Sequence, residues 1–404
     1  MQSDKSRPTG PERIDKYEEH GLSGKQARVV VEKERGRTDE EVADALGMKV
    51  GTVKSHLARA RAKYRDAQAL VSLFEEKYDP EEVSRILLSG GEFVTPHGTL
   101  TASGWDTMPS TVFAESDANR DVVDRWALAP EDEPTGPLPD LTDLLDAQVD
   151  DRMLPVLAWF YAAPFASVIR KLGGGFPALN VYGGPESGKT ETLAALTQMF
   201  GWDGTPFPAS NTTARLTFAF SSSESAPVWF DNYSGECERL HKYLRLGYRG
   251  GTEARGNADG TVTEYQLLAP VVVSGQSALT DRACETRAIS TEFVPASTRD
   301  EDCADAFASV RDADLQRHAL TFYQYALTLS ASELLDVWEH SRPPRDVREQ
   351  GALTPEEATI VETVNFGLNI AERFSERADT GGFEVDEATK RQARTAAGVT
   401  FESS

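Results

Sequence analysis

Residues 180–193 read NVYGGPESGKTETL, and the spacing Gly183-x4-Gly188-Lys189-Thr190 constrains this chain more than any other feature. An apolar run, FPALNVYGG, leads into the glycines, and KTETLAALTQMFG follows at helical spacing. A strand, a glycine loop and a helix in that order form a cradle for phosphate groups. Glycines let backbone N–H groups approach phosphate oxygens, and the start of the helix adds a partial positive charge. The residues expected to line a nucleotide are Gly183, Gly184, Pro185, Glu186, Ser187, Gly188, Lys189, Thr190 and Glu191. Lys189 is expected to reach the β and γ phosphates of ATP, and the Thr190 hydroxyl to ligate Mg2+.

Such a loop needs a second acidic group at the end of a neighbouring buried strand. APVWFDNY (226–233) supplies it, with Val228, Trp229 and Phe230 as strand and Asp231 as the magnesium-side carboxylate. A third strand is expected in LLAPVVVSGQ (267–276), ending in Ser274 and Gln276, polar groups suited to sensing a γ-phosphate.

Charge is uneven along the 404 residues. The net charge is -23, yet residues 21–65 hold eleven Lys/Arg against six Asp/Glu, a local +5, so the rest carries -28. A basic island on an acidic chain is a nucleic-acid footprint when its pattern agrees. Here LSGKQARVVVEKERG offers Ala27, Val30 and Val31 as one apolar face and Gly36 as a stop. TDEEVADALG opens on Thr38 with Glu41 three residues on, a capping box, and closes at Gly47. In MKVGTVKSHLARARAKYRDA, Val50, Val53 and Leu57 point inward. Two short helices joined by a glycine turn predict a helix-turn-helix.

The block, above all EEVADALGMKVGTVKSHLARAR, resembles sigma-factor region 4 and LuxR-type domains. That resemblance implies duplex DNA as partner, with the last helix in the major groove. Thr52, Lys54, Ser55 and Arg59 would meet bases or nearby phosphates, and Arg61, Lys63 and Arg65 the backbone. A protein-interaction module with a solvated arginine face is the competing reading.

A second resemblance rests on GGPESGKT, SNTTARLTFAFSSSESAPVWFDNY, HKYLRLGYRGGTEARGNADGTVTEYQLLAPVVVSGQ and ETRAISTEF. In order and content these are similar to the ATPase cores of superfamily 3 and related viral and plasmid primase-helicases. The resemblance implies an AAA+-like core binding ATP and Mg2+, and a homo-oligomer, with a hexameric ring as one form, whose ATP sites lie between subunits. It also implies a hairpin, residues 253–267, that grips single-stranded DNA, with Asn257-Ala258-Asp259-Gly260 as its turn and Arg255 as its DNA-facing group. Arg287 or Arg282, with Arg249 as a third candidate, would complete the site of a neighbouring subunit.

One departure from that family matters. Its members usually carry Glu after the strand-end Asp, to polarise the attacking water. Here the pair is Asp231-Asn232, and an amide orients water without taking its proton. Glu236 and Glu238 lie close enough in sequence to substitute. Slow turnover, or durable ATP binding used as a switch, is therefore expected unless they do.

The expected architecture is multidomain. It runs as a flexible leader (1–20), an all-α helix-turn-helix domain (21–68), and a helical extension ending in an acidic Pro/Gly-rich linker (69–140). A central α/β P-loop core (141–296) and a helical C-terminal region (297–404) follow. The segment 141–172, with MLPVLAWFYAAPFASVIRKL, reads as packed helices too short and interrupted to cross a membrane. With no apolar core in the opening residues, the chain is expected to be cytoplasmic, with no membrane partner. Cys237, Cys284 and Cys303 share no metal or disulfide spacing and read as packing thiols. Twelve lysines against 30 arginines on so acidic a chain resemble the proteins of salt-loving archaea, and the motif set a plasmid or viral element. No primase signature is visible.

The function expected is ATP-dependent action on DNA: a helicase-like or remodelling ATPase of a plasmid or virus, acting in replication. The alternative is a transcription regulator in which ATP binding, with little hydrolysis, switches oligomerisation. Phosphoryl transfer to a small molecule stands behind both, since no acceptor pocket is visible.

Overall fold

The computed structural model describes residues 13–14, 17–18, 21–75, 79–116, 119–130, 135–149, 151–256, 260–295, 301–344, 347, 352–378 and 383–399. The side chains of 65–75 and 301–302 lie outside that description, as do residues 257–259 of the expected hairpin turn. The chain divides into two units, Met1–Asp79 and Pro80–Ser404.

In the first unit, α1 (Gly24–Glu34), α2 (Asp39–Leu46) and α3 (Val50–Glu75) pack around Val29, Val42, Ala43 and Val53. The expected capping box is present. Glu41 N donates to Thr38 Oγ1 at 3.2 Å, and Thr38 N donates to Glu41 Oε2 at 2.7 Å. Gly47 ends α2 at φ 64°, a left-handed position where glycine carries no Cβ penalty. Ser23 and Gln26 make a second capping box at α1 that sequence reading missed. The buried face of α1 is also corrected: Val29 joins Ala27 and Val31 in the interior, whereas Val30 is only half-buried.

The second unit is built on a five-stranded sheet of β7 (Ala178–Tyr182), β8 (Phe207–Pro208), β9 (Val228–Tyr233), β12 (Val271–Gly275) and β13 (Ala288–Glu292). They lie in the order β13-β7-β12-β9-β8, every neighbouring pair parallel. A parallel sheet is covered on both faces, which is why β9 opens Val-Trp-Phe and β12 Val-Val-Val, all buried. Pro208 sits on the edge strand, where its missing N–H breaks no ladder. Asn180, fully buried in β7, donates to Val273 O at 3.3 Å and accepts from Leu279 N at 3.1 Å. It thereby ties the start of the chain after β12 to the central strand.

The region 69–140 departs from expectation. Helix continues only to Glu75, and six strands follow: β1 (Glu81–Val83), β2 (Leu87–Ser89), β3 (Glu92–Thr95), β4 (Gly98–Thr101), β5 (Gly104–Asp106) and β6 (Thr111–Phe113). Strands β2 to β5 form an antiparallel meander with two-residue turns. Gly90 and Gly91, at φ 62° and 85°, make the first of these turns, the left-handed pair that hairpin twist favours. Phe93 of the meander stacks on Tyr323 at 3.7 Å between centroids. The described residues on either side of 131–134 are tied down: Ala127 N donates to Gly201 O, Gly136 N to Asp314 Oδ2, and Asp314 N to Pro137 O.

Helices α5 (Leu141–Asp146), α6 (Met153–Ala162) and α7 (Ala166–Gly173) precede β7. The span Met153–Gly173 is, among the described residues, the one helical stretch long and apolar enough to cross a membrane. As the sequence suggests, the span is interrupted, by a 3-10 turn at Ala163–Phe165, and it packs into the core, with all ten residues of α6 buried; its length alone exceeds the expectation. The helices expected after residue 299 are present as α12 (Glu301–Asp312), α13 (Leu315–Thr328), α14 (Ala331–Ser341), α15 (Pro355–Ala378) and α16 (Glu387–Ala396). Gly367 lets α15 cross α6 closely, since a Cβ there would collide with the Ala158 carbonyl. The three cysteines are buried and none of them forms a disulfide.

Candidate functional site

The phosphate loop leaves β7 at Tyr182 and enters α8 (Lys189–Gln198) at its first residue. Its backbone is left-handed at three positions, Gly183 at φ 152°, Glu186 at 60° and Gly188 at 77°, and glycine holds two of them without a Cβ penalty. Gly183 is also required for space, because a Cβ would meet the Phe293 carbonyl. Gly184 has no atom near where a Cβ would sit, so that side of the loop is open. Lys189 folds back over the loop. Its Nζ donates to Gly183 O, Gly184 O and Ser187 Oγ, each at 2.8 Å. Burial lowers the Lys189 pKa, and the charge of Asp231 pulls it back up. Thr190 and Glu191 are exposed on the first turn of α8. There the helix's leading N–H groups have no partner within the helix.

Asp231 and Asn232 sit at the end of β9, two strands from the loop, with the tip of β12 between. The ladder slips there. Phe230 pairs with Val273 and Tyr233 with Gly275, so two residues of β9 face the single Ser274. That is a β-bulge, which bends a strand and re-aims its side chains. Asn232 lies at φ 62°, a left-handed position that Asn tolerates better than Glu. Gly275 completes the arrangement, since a Cβ would strike the Tyr233 carbonyl. Ser274 Oγ donates to Asp231 Oδ1 at 2.5 Å, and Trp229 Nε1 donates to Ser274 Oγ at 2.8 Å. Sequence reading put Ser274 at the γ-phosphate; in this geometry its hydrogen is committed to Asp231. Gln276 is exposed beyond the strand end. Glu236 and Glu238 are both exposed in the segment leading into α10 (Glu238–Tyr248).

These parts suit a nucleotide with magnesium. Among the described residues no three His, Cys, Asp or Glu side chains gather tightly enough to hold a metal by themselves. A magnesium ion at Thr190 and Asp231 would therefore lean on phosphate oxygens and water, as that ion prefers.

The arginines fare differently. Arg287 donates to Ala283 O and to Glu356 Oε1 of α15 at 3.2 Å, and lies over Tyr248. Its carbonyl accepts from Ala178 N at the start of β7, the end of the strand opposite the loop. Arg282 opens α11 (Arg282–Glu285) and is exposed, as is Arg249 at the end of α10. The expected hairpin is present as β10 (Thr252–Gly256) and β11 (Val262–Gln266). Arg255, however, is half-buried with its guanidinium 5.6 Å from the Phe218 ring centroid. Val262 is the most exposed large apolar side chain of the hairpin, at 64%.

In the first unit Thr52, Lys54, Ser55, Arg59 and Arg61 are all exposed on α3. The charges of Lys54 and Arg61 help lower the Asp39 pKa, behind the stronger hydrogen bond from Lys33. Lys63 instead reaches Gly21 O at 2.6 Å and closes the unit on itself. The Arg65 side chain lies outside the described residues.

A search of curated protein sequences finds no match. Among solved structures, the SCCmec type IV Cch active helicase is similar with a TM-score of 0.50 at 13% identity, covering 88% of this chain and 65% of that one. The present chain thus spans about 65% of that helicase's length. Two JCV helicase structures align over 61% of this chain at 17% and 16% identity, 65% and 64% of theirs, with TM-scores of 0.26 and 0.23. Residues 21–63 match the family model for sigma-70, region 4. The chain thus joins a region 4-type helix-turn-helix to a central parallel sheet of helicase-type fold, followed by helices.

Proposed function

We propose that this protein is an ATP-dependent DNA-binding protein, a helicase-like ATPase of a plasmid or virus that acts in DNA replication. The observation that carries the proposal is the convergence of Lys189, Thr190 and the Ser274–Asp231 pair at the ends of adjacent parallel strands, in a chain that also bears a region 4-type domain. In this reading the loop amides and Lys189 hold the β and γ phosphates, and Thr190 and Asp231 share the magnesium ion. Thr52, Lys54, Ser55 and Arg59 meet the duplex, with Arg61 on its backbone. The β10–β11 hairpin follows a single strand, and exposed Arg282 is the better-placed candidate to reach a neighbouring subunit's nucleotide. Homo-oligomerisation, as a hexameric ring or otherwise, belongs to the same proposal.

Asn232 supports a second reading, in which ATP binding without rapid turnover switches oligomerisation and transcription. Incubating the purified chain with a partly single-stranded duplex and ATP tells the two apart. ATP-dependent strand separation supports the helicase. ATP-dependent duplex binding with no separation supports the switch.

A further inference from the structure

Three consecutive residues leading into α11 are each held by a different element of the core. Leu279 N donates to Asn180 Oδ1 of β7 at 3.1 Å. Thr280 N donates to Tyr233 Oη of β9 at 3.0 Å. Asp281 Oδ2 accepts from Arg245 Nη1 of α10 at 2.6 Å, while Oδ1 caps α11 by accepting from Cys284 N at 3.0 Å. Arg282, which is exposed, comes next.

Of these anchors, Tyr233 is the one nearest in sequence to the candidate magnesium ligand. It closes the bulge that Asp231 and Asn232 open, and it is only 1% exposed. Its hydroxyl also lies 2.8 Å from His241 Nε2 and 3.1 Å from Thr280 Oγ1. The Thr280 hydroxyl hydrogen is spent on Gly235 O at 2.8 Å. Thr280 is thereby fastened to the end of β9 at two points, its N–H on Tyr233 and its hydroxyl on Gly235.

We propose that Tyr233 is a positioning residue: its hydroxyl, through Thr280, fixes the segment that presents Arg282 to a neighbouring subunit's nucleotide. The inference rests on the reading that Arg282 acts across a subunit boundary. A cation aimed at developing phosphate charge is effective only when it is held in place beforehand, and a misplacement of about 1 Å costs about a hundredfold. Because Tyr233 adjoins Asp231 and Asn232, the same link makes Arg282 answer to the state of its own subunit's site.

The test is subunit mixing, read as ATPase rate with single-stranded DNA present. Lys189→Ala removes a subunit's own turnover and keeps its Arg282, whereas Arg282→Ala keeps the site and removes the arginine. A mixture of the two is expected to recover activity that neither shows alone. The lending subunit is then replaced by Lys189→Ala/Tyr233→Phe. It has no turnover of its own to lose, so any effect of the missing hydroxyl falls on its partner's site. Recovery should drop to about a tenth or less. Tyr233→Phe placed instead in the Arg282→Ala subunit should leave recovery nearly intact, since that subunit lends no arginine. Should Tyr233→Phe fail to fold, Thr280→Ala at the exposed end of the link takes its place, with the same asymmetry expected. Full recovery with the doubly substituted lender, or an equal loss from either placement, overturns the proposal and leaves Tyr233 as a prop for its own strand. If the first mixture recovers nothing, Arg282 is not lent across a boundary and this inference falls. The nucleotide-site reading then still stands if the wild-type chain turns over ATP and Lys189→Ala does not.

Discussion

Ser274 of β12 donates a 2.5 Å hydrogen bond to Asp231 of β9, and it does so while accepting from the Trp229 indole at 2.8 Å. The hydroxyl is fully buried, so its single hydrogen is fixed on the carboxylate. A hydrogen bond to a charged oxygen is roughly twice as strong as a neutral one, and it sets which Asp231 lone pairs remain for a metal.

Ser274→Ala is therefore expected to weaken magnesium-dependent nucleotide binding about 10–100-fold, as losses of supporting hydrogen bonds to metal ligands do. Titrating magnesium at fixed nucleotide reads this directly. An unchanged magnesium midpoint would mean that Asp231 does not depend on Ser274.

Asn232 holds φ at 62° within the bulge. A residue without a local polar side chain loses about 1–2 kcal/mol there. Asn232→Ala and Asn232→Glu should both lower the melting temperature by a few degrees, whereas Asn232→Gly should not. Restoring a carboxylate by Asn232→Glu alone is then expected to strain the bulge. Melting curves in which the alanine variant equals the wild type would show that the backbone, not the amide, was misjudged.

Lys54 and Arg59 are exposed on α3. Replacing both with alanine is expected to abolish site-specific duplex binding while leaving nucleotide affinity intact. If both contact phosphates, the slope of log affinity against log salt should fall by about two units in magnitude. Anisotropy titrations across a salt series test this, and retained specific binding would move recognition off this helix.

His318 is wholly enclosed, with Nε2 2.6 Å from Tyr161 Oη and Nδ1 2.8 Å from Met199 O. Burial lowers its pKa to about 4. An unfolded histidine titrates near 6.5, so between the two values the unfolded chain binds the extra proton. Stability from neutral His318 is thus fully present above about pH 6.5 and is lost as pH falls toward 4, by about 3 kcal/mol at most. The melting-temperature gap between wild type and His318→Gln should narrow over that window. A gap constant from pH 7 to 4 would contradict the assignment.

Much of this architecture is legible in the sequence where local chemistry is decisive. Thr38 with Glu41, Gly47, and the run from Tyr182 to Lys189 each carry a backbone requirement that few other residues satisfy. The parallel core was readable because its strands are apolar on both faces. The β2–β5 meander was not, because its strands of three or four residues are too short for a period-two signal, though Gly90-Gly91 marked a turn. The partners of Arg287 and Arg255 were hidden too. Glu356 lies 69 residues from Arg287, and Phe218 lies on a different element from Arg255. Nor does spacing reveal that Ser274 faces Asp231, since the bulge at 231–232 sets that pairing.

Under the proposed function the Lys189 loop turns over ATP in response to DNA. The most direct measurement is the ATPase rate of the purified chain with and without single-stranded DNA, alongside Lys189→Ala. A slow basal rate, stimulation by DNA, and loss of both in Lys189→Ala are expected. A rate that DNA leaves unchanged, or one that survives Lys189→Ala, would contradict that function.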